Sequence, residues 1–114
     1  MSNKKNPLKL NALQLRSLTV LQVLAQIGGY ATQGPGPDEV TISRFPPPHG
    51  DHIHLGDFVI MGKDASGLYN QAVWNALGRK GLARPDWPQG ITLTAEGRNY
   101  DTGLVDQIAH RATH

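Results

Sequence analysis

Leu10, Leu13, Val20, Leu21, Leu24 and Ile27 fall at helical spacing on one broad face. Any fold of this chain must cover that face. Asn11 stands where an N-cap is wanted, and Gln14 three residues later can return the hydrogen bond in a capping box. Gly28-Gly29 stops the pattern, because glycine adopts the left-handed conformation after a helix at little cost. Gln14, Gln22 and Gln26 lie toward the edges or the far side. The stripe is too wide and too short for a leucine zipper, so it reads as the core face of a first helix.

What surrounds that helix is one domain. The chain has 114 residues, enough to bury a core without staples. It has no cysteine, which excludes disulfides, a thiol nucleophile and thiolate metal sites. That fits a cytoplasmic protein. No apolar run approaches the roughly 18–20 residues that cross a bilayer, and no apolar segment follows Lys4 and Lys5 as a signal peptide requires. Residues 1–9 read as a loose basic tail and 10–114 as the domain. The formal charge of +2 and pI of about 9.2 permit a polyanionic partner without announcing one.

The 13 glycines and 8 prolines crowd the middle of the chain, which places helices at the ends around a turn-rich centre. Residues 30–38 read as a connector. Residues 39–44 alternate apolar and polar and read as a strand, ended by Pro46-Pro-Pro48. Residues 52–61 read as a second strand, pairing with the first across the proline-rich loop. Helix two is expected over 68–80, with Val73, Trp74 and Leu77 inward and Gly81 as its stop. Residues 82–84 and 91–93 then form a short hairpin around the turn at Asp86-Trp-Pro-Gln-Gly90. Thr94 caps a last helix carrying Tyr100, Leu104 and Ile108 on one stripe, weakened by Gly97 and Gly103.

This order resembles winged-helix proteins. Val73-Trp-Asn-Ala-Leu-Gly-Arg-Lys-Gly-Leu-Ala83 is similar to the exit of a recognition helix into a first wing strand. Ile91-Thr-Leu-Thr-Ala-Glu-Gly97 is similar to the second wing strand of the MarR and PadR regulators. Arg16-Ser-Leu-Thr-Val-Leu-Gln-Val-Leu-Ala25, Val40-Thr41 and Ala72-Val73-Trp74 resemble the YjhX-type toxin family. The resemblance implies an α+β, winged-helix-like domain: three main helices, a mid-chain β-hairpin and a C-terminal wing hairpin. It departs from common winged-helix regulators at residues 39–63, which read as strands and a loop where those proteins carry a positioning helix.

The implied function is nucleic-acid binding, with duplex DNA as partner, in a regulatory role. Helix 68–80 would enter the major groove and 83–93 would be the wing. Asn70, Gln71 and Asn75 would face base edges, since carboxamides grip adenine. Arg79, Lys80, Arg84 and Arg98 would meet phosphates. A homodimer is expected from the resemblance and from the spare apolar stripe of the last helix. The alternative is a protein-interaction module, or a toxin-like inhibitor of a DNA-handling enzyme, using the proline/histidine loop and Trp87.

Three of the five histidines lie within six positions, in His49-Gly-Asp-His52-Ile-His54. On a strand His52 and His54 share a face. With His49 or Asp51 as a further ligand they could hold zinc, in a metal-sensing regulator. The function otherwise needs no cofactor. An enzyme is not expected. Asp51, Asp57 and Asp64 are unpaired in sequence, and no Gly-x-Ser-x-Gly or phosphate-loop motif occurs.

Overall fold

The computed structural model describes residues 6–46 and 51–111. Helix α1 (Ala12–Leu24) runs through its centre. The capping box forms: Asn11 Oδ1 accepts from Gln14 N at 2.8 Å, and Gln14 Oε1 accepts from Asn11 N at 3.0 Å. The helix closes earlier than the glycines suggest. Gln26 N and Ile27 N bond to the carbonyls of Val23 and Leu24, so the last turn tightens before Gly29 takes φ +97°.

All eight residues from Ser17 to Leu24 are buried. Gln22, expected toward the edges or the far side, is buried, and its amide donates to the carbonyls of Gly97 and Tyr100, both at 2.9 Å. Thr19 is buried against Thr102, with their hydroxyls 2.7 Å apart. Polar groups survive in this core because each finds a partner.

Strands β1 (Ala31–Gln33) and β2 (Val40–Ile42) follow. The connector expected over 30–38 therefore contains a strand. Strand β2 does not pair with residues 52–61. It lies between β1 and β6 (Gly90–Leu93), and β5 (Ala83–Asp86) completes the sheet in the order β1-β2-β6-β5, antiparallel throughout. Val40, Ile42, Ile91, Leu93 and Ala83 form its buried face. The other face carries the row Thr32, Thr41, Thr92 and Arg84, with the Thr41 and Thr92 hydroxyls 2.8 Å apart.

Residues 52–61 fold on themselves instead. Strands β3 (His52–Leu55) and β4 (Phe58–Met61) make a hairpin around Gly56-Asp57, and β7 (His110–Arg111) adds to the far edge of β4. Gly56 takes φ +59° while Asp57 stays out of the positive region, the signature of a type II′ turn. Ile53, Leu55 and Ile60 face the core.

Two short helical segments, α2 (Gly62–Ala65) and a 3-10 turn (Ser66–Tyr69), precede α3 (Gln71–Arg79). The helix expected over 68–80 is thus shorter, and the stretch before it ends in helical turns rather than only strand and loop. Gly81, at φ +77°, ends α3 in a Schellman motif: Leu82 N bonds Leu77 O and Gly81 N bonds Gly78 O, both at 3.0 Å.

The last helix is broken in two. Helix α4 (Ala95–Asn99) starts on the Thr94 hydroxyl, and α5 (Val105–Ile108) starts anew. Between them Asp101 Oδ1 accepts from Gly103 N at 3.0 Å and Gly103 takes φ +73°. Ile108 is buried in the domain's own core, and Tyr100 and Leu104 are partly buried against it.

The tail is fastened from residue 6 onward. The Asn6 side chain bonds both backbone groups of Leu10 at 2.9 Å, and the Tyr100 hydroxyl bridges Asn6 Oδ1 and Leu8 N. The Cα radius of gyration, 13.2 Å, matches the roughly 13 Å of one packed domain of about 100 residues.

Candidate nucleic-acid interface and histidine face

Helix α3 exposes a narrow polar stripe. Val73, Trp74, Ala76 and Leu77 are buried. Gln71, Asn75 and Arg79, each four residues from the next, are exposed and line up on one side. Asn70 is not part of that stripe. It is the N-cap, and its Oδ1 accepts from Ala72 N at 2.9 Å. The residue types that read adenine also cap helices, and position decides which role they take.

An open cleft of about 550 Å³ runs between α3 and β5, lined by Asn75, Gly78, Arg79, Ala83, Arg84 and Pro85. It brings Asn75, Arg79 and Arg84 together. Arg84 is already engaged: its Nη1 donates to Glu39 Oε2 at 2.7 Å and its Nη2 to Glu39 Oε1, a two-pronged pair. The hydrogen bond from Arg84 holds the Glu39 carboxyl below its usual range, and the same bond raises the guanidinium's pKa. Glu39 Oε1 also accepts from Gly36 N, which ties the loop before β2 to the pair.

The other expected phosphate contacts scatter. Lys80 Nζ donates to Leu8 O at 2.6 Å, pinning the lead-in. Arg98 Nη1 donates to Asp38 O at 3.2 Å, beside a separate cleft near β1. Among the described residues, Arg79 alone of these four cations has neither ion pair nor hydrogen bond from its side chain. Sequence spacing suggested one basic rim. The fold breaks it up, because backbone carbonyls and Glu39 from distant segments claim three of the cations.

Trp87 turns inward. Its ring meets Trp74 edge to face at 4.6 Å between centroids, and it is partly buried in the turn at the cis Trp87–Pro88 bond. Part of its surface is thus taken up within the domain.

The outer face of the β3-β4-β7 sheet carries His52, His54, Val59 and His110. His52 Nε2 and His54 Nε2 lie 3.1 Å apart, their rings edge to face at 4.8 Å. Asp51 Oδ1 meets His52 Nδ1 at 3.1 Å, and that hydrogen bond holds the Asp51 carboxyl below its usual value. His49 lies outside the described residues. Among those residues no group of three or more His, Cys, Asp or Glu gathers as a metal cage.

The aspartates considered for acid/base chemistry stand apart. Asp51 is on His52, Asp57 sits in the hairpin turn, and Asp64 faces Arg16 Nε at 3.8 Å. Arg16 and Asp64 line a second cleft of about 450 Å³ with Lys63, Leu104 and Gln107, a feature no local motif announces. Among the described residues no helix is long and apolar enough to cross a membrane. Comparison with known proteins finds no matching family model, no matching curated protein and no matching solved structure.

Proposed function

We propose that this chain is a winged-helix-type domain that binds duplex DNA in a regulatory role, with α3 as the reading helix and β5–β6 as the wing. The observation that carries this reading is the exposed stripe Gln71, Asn75 and Arg79 on α3, beside the cleft that holds Arg84. Such a stripe can offer carboxamides to base edges and a guanidinium to guanine or phosphate. The element order supports it in part: helical turns, a helix and a hairpin follow one another from residue 62 to 93, with β6 between β2 and β5, while four strands stand between α1 and those turns. On this reading the short turns over 62–69 take the part of the positioning helix.

The test is titration of a labelled duplex at two salt concentrations. Binding weakens steeply with salt, and Arg79→Ala weakens it further while lowering the log–log salt slope by about 0.9, one phosphate's worth. Absence of binding at low salt overturns the reading.

The Arg84–Glu39 pair yields a second prediction. Glu39→Gln keeps the side chain's shape but releases the guanidinium. Duplex binding then tightens and the salt slope steepens by about 0.9. The native pair persists at neutral pH, since the lowered carboxyl pKa means it is lost only as pH falls through that value. Unchanged affinity and slope in Glu39→Gln would show that Arg84 stays off the DNA.

One observation favours a second reading, a protein-interaction module or toxin-like inhibitor of a DNA-handling enzyme. Lys80, Arg84 and Arg98 are all engaged within the chain, which leaves little free positive charge around α3. On that reading the low-salt titration gives no binding, and affinity capture with the full chain recovers a protein partner that substitutions in the proline/histidine loop or at Trp87 release.

A further inference from the structure

We propose that His52 and His54, oriented by Asp51, form a surface site for one divalent transition-metal ion of the zinc, copper or nickel type. The two Nε2 atoms stand 3.1 Å apart. Two imidazole nitrogens bound at about 2.0–2.1 Å lie about 3.3 Å apart on a tetrahedral ion. In neighbouring square-planar positions at that bond length they lie about 2.9 Å apart. The observed spacing falls between the two, so the nitrogens already stand at the separation an ion requires, and the rings turn to aim at it.

The strand holds this geometry in place. Ile53 and Leu55 are buried on the opposite face of β3, so the period of two keeps both imidazoles outward. The register with β4 is set by the Gly56-Asp57 turn. Asp51 supplies the remaining element. Its carboxylate accepts from His52 Nδ1–H, which leaves the Nε2 lone pair pointing at His54 and makes that nitrogen a better donor. Imidazole suits these metals and not calcium or magnesium, which take oxygen. Two ligands leave coordination positions for water, so the site is open rather than structural.

The third described histidine serves as the control. His110 lies on the same sheet face but across Val59 from His54, one strand beyond direct reach. Untagged full-length protein is titrated with zinc chloride, and separately with copper(II) chloride, by calorimetry in a non-chelating buffer. Histidine proton NMR follows the same titration. One ion binds saturably, and the ring signals of His52 and His54 move together. His52→Gln and His54→Gln each weaken binding at least about tenfold, and Asp51→Asn does so by about tenfold with both ligands in place. His110→Gln leaves the affinity unchanged. These are surface positions, and circular dichroism checks that each variant stays folded. No saturable binding overturns the proposal, as does an affinity unchanged in either imidazole variant or lost in His110→Gln alone. Unchanged affinity in Asp51→Asn overturns the orienting role of the carboxylate.

Discussion

Trp74→Ala destabilises the domain by about 3–5 kcal/mol, the range for removing a large buried aromatic side chain. The indole is 2% exposed and sits on the inner face of α3. It touches three segments that share no local sequence. Phe45, after β2, meets it at 5.5 Å between centroids, and Trp87 of the β5–β6 turn meets it at 4.6 Å. Its Nε1–H donates to Leu68 O at 3.0 Å, which fixes the 3-10 turn below α3. Truncation leaves a cavity that these segments cannot all collapse into, and it strands the Leu68 carbonyl. Trp74→Phe separates the two effects. It keeps most of the ring volume, loses the donor, and costs about 1–3 kcal/mol from the unsatisfied carbonyl together with a smaller packing loss. Urea unfolding of both variants measures this, read from the midpoint at unchanged slope. A Trp74→Ala loss under about 1 kcal/mol would mean that the indole is not the joint between α3 and the β5–β6 hairpin. Because a domain of this size holds only about 5–15 kcal/mol in all, this one side chain carries a large share of what keeps α3 in place.

The features legible in the sequence are those in which neighbouring residues act on one another. The capping box at Asn11, the Gly81 stop of α3, the Thr94 cap and the turn after Asp86 all lie within a few residues of their partners. The pairing of residues 52–61 was also written locally, in Gly56-Asp57 between two apolar stretches. The continuous run Asp57-Phe-Val-Ile-Met61 masked it, because no polar residue breaks the strand after the turn. Asp101-Thr-Gly103 likewise marks the break between α4 and α5, where an apolar stripe at helical spacing suggested continuity. What could not be read is non-local. Glu39 and Arg84 are 45 residues apart, Lys80 and Leu8 are 72 apart, and Gln22 meets Gly97 across 75. No periodicity reports such partners, so the candidate interface came out of the fold with fewer free charges than its sequence implied. The histidine pair was legible for the opposite reason: a spacing of two on a strand fixes the shared face by itself.

Gly97→Ala is the substitution on which local and tertiary reasoning disagree in sign. Judged by helix propensity, a glycine inside α4 weakens it, and alanine would stabilise the domain by about 1 kcal/mol. The packing says the reverse. A Cβ at this position would stand 1.9 Å from the Leu82 carbonyl oxygen and 2.9 Å from its carbon. Leu82 cannot yield easily, since its carbonyl accepts from Thr94 N at 3.1 Å and its amide closes the Schellman motif of α3. Nor can α4 slide away. Gly97 N is held by the Thr94 hydroxyl at 3.1 Å, and Gly97 O accepts from the buried Gln22 amide at 2.9 Å. The added methyl must therefore break the cap, the α3 exit or the contact with α1. The expected cost is about 3 kcal/mol, the upper end of the usual range for overpacking. Gly28→Ala is the matching control, because a Cβ there meets nothing within 4 Å and the position carries no positive φ. Its stability stays within about 0.5 kcal/mol of the parent protein. Thermal and urea melts of the pair decide between the two arguments. A Gly97→Ala protein as stable as its parent would show that α4 does not press on the backbone of Leu82. The loss expected here instead makes Gly97 the point at which α1, the exit of α3 and strand β6 are held at one fixed separation.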